Sequence, residues 1–341
     1  MGSSLRGKRR ALERQIAVDL GTANTVVFRR GAGVVLFEPS VVAIDDLTGA
    51  VQAVGEEARR MIGRTPANIR ATRPLRHGVI SEFETTEHML RHFIRRALGR
   101  GRRRASVMVC VPSGVTQVER NAVTEAALAA GAAHALLIDE PLAAAIGAGL
   151  PVAEPVGSLV VDIGGGTSEM AVTALGGMVV SRSLAVGGYD LDDAIVRDLQ
   201  LREGLLVGQE QAEALKLEIG SAVPGAAKGT EADVAGRDLR TGLLRRATVG
   251  ADQVQNALER PLTQIAEAAA DLLEDTPPEL AADISTNGLT LVGGGALLPG
   301  MDTLLERRTG LAVRIDPEPL TTVARGAGEA LETLDARRRY R

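Results

Sequence analysis

Two short segments of the chain place an aspartate next to a turn of small residues. The first reads Val-Asp-Leu-Gly-Thr-Ala-Asn-Thr and contains Asp19, and the second reads Val-Asp-Ile-Gly-Gly-Gly-Thr-Ser and contains Asp162. Small residues let a backbone approach a ligand closely, and backbone N–H groups are suitable donors to phosphate oxygens. Carboxylates support Mg²⁺, which keeps most of its water ligands. The two segments therefore indicate polyphosphate binding with a hydrated metal ion.

The candidate binding residues fall into two matching sets. The first turn offers Gly21, Thr22, Ala23, Asn24 and Thr25 to phosphates. The second turn offers Gly164, Gly165, Gly166 and Thr167. Asp19 and Asp162 lie at corresponding strand ends, where they would share a cation through its water. Glu140 ends an apolar run and precedes Pro141, a position from which it could orient the attacking water in phosphoryl transfer.

Each of these motifs has a structural alternative. Asp19 and Asp162 are suited to capping their own turns through backbone amides. Glu140 is also a favourable carboxylate for the start of a helix. The later run Gly293–Gly295 is compatible with a simple tight turn. The matched pair of turns, each with its aspartate, favours the functional interpretation.

The elements around the turns are predicted as hairpins. The apolar runs Gln15–Asp19 and Thr25–Phe28 flank the first turn, and Ser158–Asp162 and Met170–Thr173 flank the second. A repeat at half the chain length predicts two similar domains that face one another. Between the hairpins, strands alternate with helices such as Val118–Ala130, which predicts an α/β architecture.

Composition limits the class of protein. The chain has 341 residues, enough for two compact domains, with 45% hydrophobic and 24% charged residues. A net charge of -4 and an aromatic content of 2% argue against nucleic acid as a partner. Cys110, in an apolar run, is expected to be a buried thiol of a reduced cytoplasmic protein. Met1–Gln15 is basic and without an apolar core, so no signal peptide is expected.

Four motifs resemble those of the actin/Hsp70/hexokinase superfamily. They are similar to its phosphate-1, connecting, phosphate-2 and adenosine motifs, in the order Asp19-Leu-Gly-Thr-Ala-Asn-Thr25, Asp139-Glu-Pro-Leu-Ala-Ala-Ala145, Asp162-Ile-Gly-Gly-Gly-Thr167 and Leu291-Val-Gly-Gly-Gly-Ala296. Further stretches resemble the MreB/Mbl family of bacterial actins, namely Glu38–Ala43, Met61–Pro66, Arg73–Val79, Thr116–Arg120, Gly236–Gly242 and Thr276–Leu280. The resemblance extends from Ile16 to Leu334 in the family's order.

The resemblance implies a role for each candidate residue. Asp19 and Asp162 would support hydrated Mg²⁺, and the turns would hold the phosphates of ATP or ADP. Glu140 and Thr167 would position the hydrolytic water. Glu213 and Lys216 would touch ribose and adenine, whereas without the resemblance they are a solvated ion pair one helical turn apart. The adenine would pack on the backbone of the glycine run Gly293, Gly294 and Gly295.

The resemblance also implies a fold and its division. The expected fold is α/β and actin-like (ribonuclease H-like), with two domains, a small subdomain in each, and nucleotide in the central cleft. The expected segments are a basic tail at 1–15, domain I at 16–149 with a small subdomain at about 32–75 and a completing helix at 320–335, and domain II at 150–319 with a small subdomain at about 186–250.

The implied function is a slow ATPase that polymerises into filaments, determines cell shape and guides cell-wall synthesis. The expected partners are further copies of the chain and membrane-bound cell-wall synthesis proteins, at the inner face of the cell membrane. The basic stretch Arg95–Arg104 is expected to be a loop that attracts anionic lipid together with Arg6, Lys8, Arg9 and Arg10, or else a solvated surface. The alternatives are a monomeric Hsp70-like module, for which a chain ending near Leu334 leaves no peptide-binding domain, and a small-molecule kinase.

Overall fold

The computed structural model describes residues 15–99, 105–225 and 229–339, and only the backbone of 334–339. Strands β1 to β18 are Gln15–Leu20, Asn24–Arg29, Gly33–Pro39, Val42–Asp45, Val51–Val54, Ile69–Thr72, Leu75–Arg76, Val79–Ile80, Ser106–Val111, His134–Asp139, Ser158–Ile163, Ser168–Ala174, Gly177–Leu184, Leu205–Leu206, Glu231–Asp238, Leu244–Gly250, Leu289–Val292 and Val313–Ile315. Helices α1 to α10 are Glu56–Arg59, Phe83–Leu98, Gln117–Ala129, Glu140–Gly147, Gly188–Glu203, Gln209–Ile219, Ala251–Glu274, Pro278–Asn287, Met301–Thr309 and Thr322–Arg339.

The chain forms two compact units. Unit 1 comprises Met1–Glu154, Leu175–Gly177 and Leu320–Arg341, and unit 2 comprises Pro155–Ala174 and Met178–Pro319. The C-terminal helix α10 therefore belongs to the same unit as the first strand. It packs on α4, and a Cβ added at Gly326 would lie 1.8 Å from the carbonyl oxygen of Ala143, so the two helix backbones touch.

Unit 1 is built on a five-stranded sheet of order β10-β9-β1-β2-β3. Strand β1 is antiparallel to β2 and parallel to β9, which is parallel to β10. The central strands carry continuous apolar runs because helices cover the sheet. Their side chains pack with the apolar face of α2, which includes Met89, Leu90 and Phe93. Two small sheets, of order β5-β4-β6 and β7-β8, complete this unit.

Unit 2 repeats this plan with a sheet of order β13-β12-β11-β17-β18. Strand β11 is antiparallel to β12 and parallel to β17, which is parallel to β18. All six residues of β11 and all seven of β12 are buried. Strands β14, β15 and β16 form a separate small sheet. The sequence repeat therefore corresponds to a repeated hairpin with two parallel strands beside it, and the α/β expectation is confirmed.

Two expectations on single segments have different outcomes. Cys110 is 2% exposed, so the prediction of a buried thiol is confirmed. The prediction of a basic loop over Arg95–Arg104 is wrong at its start, because Arg95–Leu98 forms the last turn of α2. The apolar face of that helix continues through Ala97, and its burial outweighs the arginines. Residues 100–104 and the basic residues of the tail lie outside the described ranges.

Candidate functional site

The predicted residues of unit 1 gather at one edge of its sheet. Asp19 is the penultimate residue of β1 and pairs with Val26 of β2. Because β1, β9 and β10 are parallel, their carboxyl ends meet at the same edge, where ligands of α/β sheets bind. Glu140 directly follows β10, two strands from β1, a separation of about 10 Å. Asp19, the turn after β1 and Glu140 are thus brought together.

The turn after β1 is held in shape from outside the hairpin. The hydroxyl of Ser40 donates to the carbonyl of Gly21 at 2.6 Å, and the N–H of Ser40 donates to the carbonyl of Ala23 at 2.9 Å. The N–H of Gly78 donates to the hydroxyl of Thr22 at 3.0 Å. Contacts from other parts of unit 1 thus hold the turn in its conformation.

Ser40 and Gly78 were missed as site residues. Their contacts join positions 19 and 56 residues apart, which no local pattern reveals. Their only signal was membership of the stretches Glu38–Ala43 and Arg73–Val79, which resemble the MreB/Mbl family. The sequence predicts that Thr25 contacts phosphate. In the structure, its hydroxyl lies 2.8 Å from the hydroxyl of Ser40.

The unit 2 turn repeats the length and the flanking strand pairing of the unit 1 turn. Leu20 pairs with Thr25 across the first turn, and Ile163 pairs with Ser168 across the second, so each turn has four residues between paired positions. Asp162, like Asp19, is one residue before the end of its strand. The N–H of Gly164 donates to the carbonyl of Thr167 at 2.8 Å and closes the turn.

The glycine run after β17 lies against the second aspartate. Strand β17 is parallel to β11, and Asp162 pairs with Val292. Gly293 has a φ of +81°, and a Cβ there would stand 2.2 Å from Oδ1 of Asp162. Any residue with a side chain at position 293 would therefore collide with this carboxylate. The run continues into the 3-10 helix Gly294–Leu297 rather than ending as a simple turn.

Both aspartates have the surroundings that a cation would favour. Burial raises the pKa of Asp19 to about 7, because its charged form is poorly hydrated. Asp162 is 8% exposed. A nearby divalent cation stabilises such carboxylates as anions, and oxygen donors of this kind suit hydrated Mg²⁺. Each carboxylate, within its own unit, therefore has the chemistry that would support the implied metal ion.

The proposed water-positioning residues are both buried. Glu140 begins α4, and Thr167 is the last residue of the second turn. Each is 8% exposed, which is low for polar side chains. The neighbouring acid Asp139 forms an ion pair with Arg120, so the two acids before Pro141 have different environments.

Lys216 does not form a solvated pair with Glu213. Its Nζ lies 2.6 Å from Oδ1 of Asp192 and donates to the carbonyl of Gly188 at 3.0 Å. The side chains of Lys216 and Asp192 are 12% and 2% exposed. Glu213 is half-buried one turn earlier on α6. Asp192 was missed, since an acid inside an amphipathic helix carries no signal of its partner.

Burial also perturbs Asp192. It raises the pKa of Asp192 to about 6, against the opposing attraction of Lys216, while the charge of Glu213 raises it further. The carboxyl group thus binds its proton more tightly in the folded chain than in the unfolded one.

Comparisons with known proteins find the same family over nearly the whole chain. Residues 13–339 match the family described as MreB/Mbl protein. The chain is 51% identical over 326 residues to the cell shape-determining protein MreB of Escherichia coli K12, covering 94% of each. It is 45% identical to the cell shape-determining protein Mbl of Bacillus subtilis, covering 94% of this chain and 97% of Mbl. The crystal structure of MreB 5 of Spiroplasma citri bound to AMPPNP superposes with a TM-score of 0.90, 36% identity and coverage of 96% and 98%.

The raised pKa of Asp192 predicts a pH dependence of stability. Between pH 4 and pH 6 the folded chain holds a proton on Asp192 that the unfolded chain releases, so stability falls as pH rises through this window. We expect the melting temperature of the wild type to fall from pH 4.5 to 6.5 relative to that of Asp192→Asn, which has no proton to lose there. Parallel curves for the two proteins would show that Asp192 titrates normally.

Proposed function

Because this chain belongs to the MreB/Mbl family and has its actin-like fold, we propose that it binds ATP or ADP with Mg²⁺ and polymerises into filaments that determine cell shape. The observation that carries the proposal is the matched pair of aspartates and four-residue turns at the carboxyl edges of two sheets of the same order. Structures of the similar MreB5 of Spiroplasma citri are bound to ADP and to AMPPNP.

The assignment of residues follows the geometry of each unit. We propose that the turn residues Gly21–Thr25 and Gly164–Thr167 bind phosphate oxygens, mainly through backbone N–H groups. Asp19 and Asp162 would hold the hydrated Mg²⁺ by accepting hydrogen bonds from its water. Lys216 and Glu213 contact the nucleoside, and the backbone of Gly293–Gly295 lies against its base. We also propose that each unit contains a small subdomain, at about 32–75 in the first and about 186–250 in the second.

For hydrolysis, the chain supplies positioning and electrostatics. Mg²⁺, when bound, would supply neutralisation of the phosphate charge. Glu140 accepts a hydrogen bond from the attacking water and fixes its direction, with the hydroxyl of Thr167 as a second partner. Both side chains are buried, so their rotamers are restricted before substrate arrives. Slow hydrolysis would time the life of a filament contact, because nucleotide state sets the preferred conformation of a subunit.

Polymerisation is the property that separates this function from its alternatives. An asymmetric subunit that contacts the next one head to tail grows into a filament when the rotation between neighbours does not close a ring. We expect the protein to scatter light and sediment on addition of Mg-ATP, and to stay in the supernatant with EDTA. A protein that remains monomeric with Mg-ATP would favour an Hsp70-like module, and one that phosphorylates added sugar would favour a kinase.

Glu140 is tested by separating binding from turnover. We expect Glu140→Ala to bind Mg-ATP as the wild type does and to release phosphate on the order of 10- to 100-fold more slowly, since the water loses its orienting acceptor. The matched control is Asp139→Asn, which removes the adjacent acid that pairs with Arg120. Equal phosphate release by Glu140→Ala and the wild type would remove Glu140 from this role.

We further propose contact with the inner face of the cell membrane and with membrane-bound cell-wall synthesis proteins. No helix within the described ranges is long and apolar enough to cross a membrane. Arg95 and Arg96 are exposed at the end of α2, and Arg96 pairs with Glu38. An arginine on the surface favours anionic lipid by about 1 kcal/mol near a membrane.

The proposed protein partners have a separate test. Cross-linking in cells should recover cell-wall synthesis enzymes with this protein, and their absence would count against these partners.

Lipid binding has its own measurement. We expect the protein to sediment with anionic phospholipid vesicles at low ionic strength and to be released by salt, because the attraction is screened. Arg95→Gln should sediment less, whereas Arg240→Gln, an equal loss of charge at an exposed position of unit 2, should sediment as the wild type does. If the wild type stays in the supernatant at low salt, the membrane proposal fails.

A further inference from the structure

The start of α5 is packed directly on the second phosphate turn. A Cβ at Gly187, the residue before α5, would lie 2.8 Å from backbone atoms of Gly164, Gly165 and Gly166. The N–H of Gly188 donates to the carbonyl of Gly164 at 2.9 Å, and the next N–H of the helix donates to the carbonyl of Gly165 at 2.8 Å. The turn and the first residues of α5 therefore form one rigid piece.

Lys216 attaches to this piece from the neighbouring helix α6. Its ammonium donates to the carbonyl of Gly188 and pairs with Asp192, which lies one helical turn further along α5. A Cβ at Gly188 would stand 3.7 Å from Nζ of Lys216 and 3.7 Å from the carbonyl oxygen of Gly164. The ammonium is thus held beside the turn that we assign to phosphates.

The energetics favour a geometric role for the pair. Removing two charges from water costs free energy that their attraction often only offsets, so a buried ion pair is weak evidence for stability. A lysine side chain, in contrast, loses much rotamer freedom when it is fixed. Asp192, 2% exposed, provides a fixed anionic partner that restricts the ammonium before any ligand arrives.

We infer that Asp192 is a positioning residue of the nucleotide site, which acts by holding the ammonium of Lys216 beside the turn Gly164–Thr167. This inference rests on the proposed function, because it requires that nucleotide binds at this turn. Asp192 itself contacts no ligand in this account. The competing interpretation is that the pair only joins α5 to α6, in which case its loss changes stability and leaves nucleotide affinity unaltered.

A double-mutant cycle separates these interpretations. The dissociation constant for Mg-ATP is measured at pH 8 by isothermal titration for the wild type, Asp192→Asn, Lys216→Gln and the double variant, with melting temperatures recorded in parallel. We expect Asp192→Asn to bind about tenfold more weakly and Lys216→Gln at least as weakly. The double variant should bind like Lys216→Gln alone, since Asp192 then has nothing left to position.

Two further variants serve as controls. Asp193→Asn makes the same change of charge one residue away, where the acid pairs with Gln209 instead, and should bind as the wild type does. Asp192→Glu keeps the charge and should bind within about threefold of the wild type. If Asp192→Asn does not fold, Asp192→Glu takes its place in the cycle. Its small loss of affinity for Mg-ATP should then disappear in the Lys216→Gln background.

The inference is overturned if Asp192→Asn binds Mg-ATP as tightly as the wild type does. It is also overturned if Asp192→Asn lowers the affinity by the same factor in the Lys216→Gln background. A loss in Asp192→Glu as large as that in Asp192→Asn would also overturn it. If the wild type itself binds no Mg-ATP, the proposed function is wrong. Failure of the inference is a different result, because it is seen in the variants of a wild type that does bind Mg-ATP.

Discussion

The nucleotide site proposed for this chain depends on how closely backbone can approach a phosphate at the end of a buried strand. The turn that follows such a strand brings its backbone N–H groups closest to a phosphate when it is short and rich in small residues. Both hairpins satisfy this condition with four residues between paired positions. The other features of the site either hold these turns in shape or place a charge beside them.

The support of the two turns comes from different parts of each unit. In unit 1, Ser40 and Gly78 fix the turn through hydrogen bonds from loops near the small sheets. In unit 2, the start of α5 fixes it through backbone packing at Gly187. Equivalent turns are therefore connected to different neighbours. A change at either turn on nucleotide binding would therefore be passed to different elements of its own unit.

Much of this arrangement could be predicted from the sequence, because the informative signals are local. Apolar runs, small-residue turns and the repeated aspartate identified the hairpins and the equivalence of Asp19 and Asp162. Contacts between distant segments were not accessible in this way. The ion pair of Lys216 with Asp192 was missed because residues 24 positions apart share no periodic pattern. The sequence predicts a loop at the end of α2, because the arginines and glycines there obscure an apolar face that continues to Ala97.

The most direct test of the account is the affinity of Asp162→Ala for ATP, titrated calorimetrically with Mg²⁺ and with EDTA. If the aspartates support the metal ion, the wild type binds ATP more tightly with Mg²⁺ than with EDTA, and Asp162→Ala loses most of that difference. Identical affinities of the variant and the wild type in the presence of Mg²⁺ would contradict the assignment of the site.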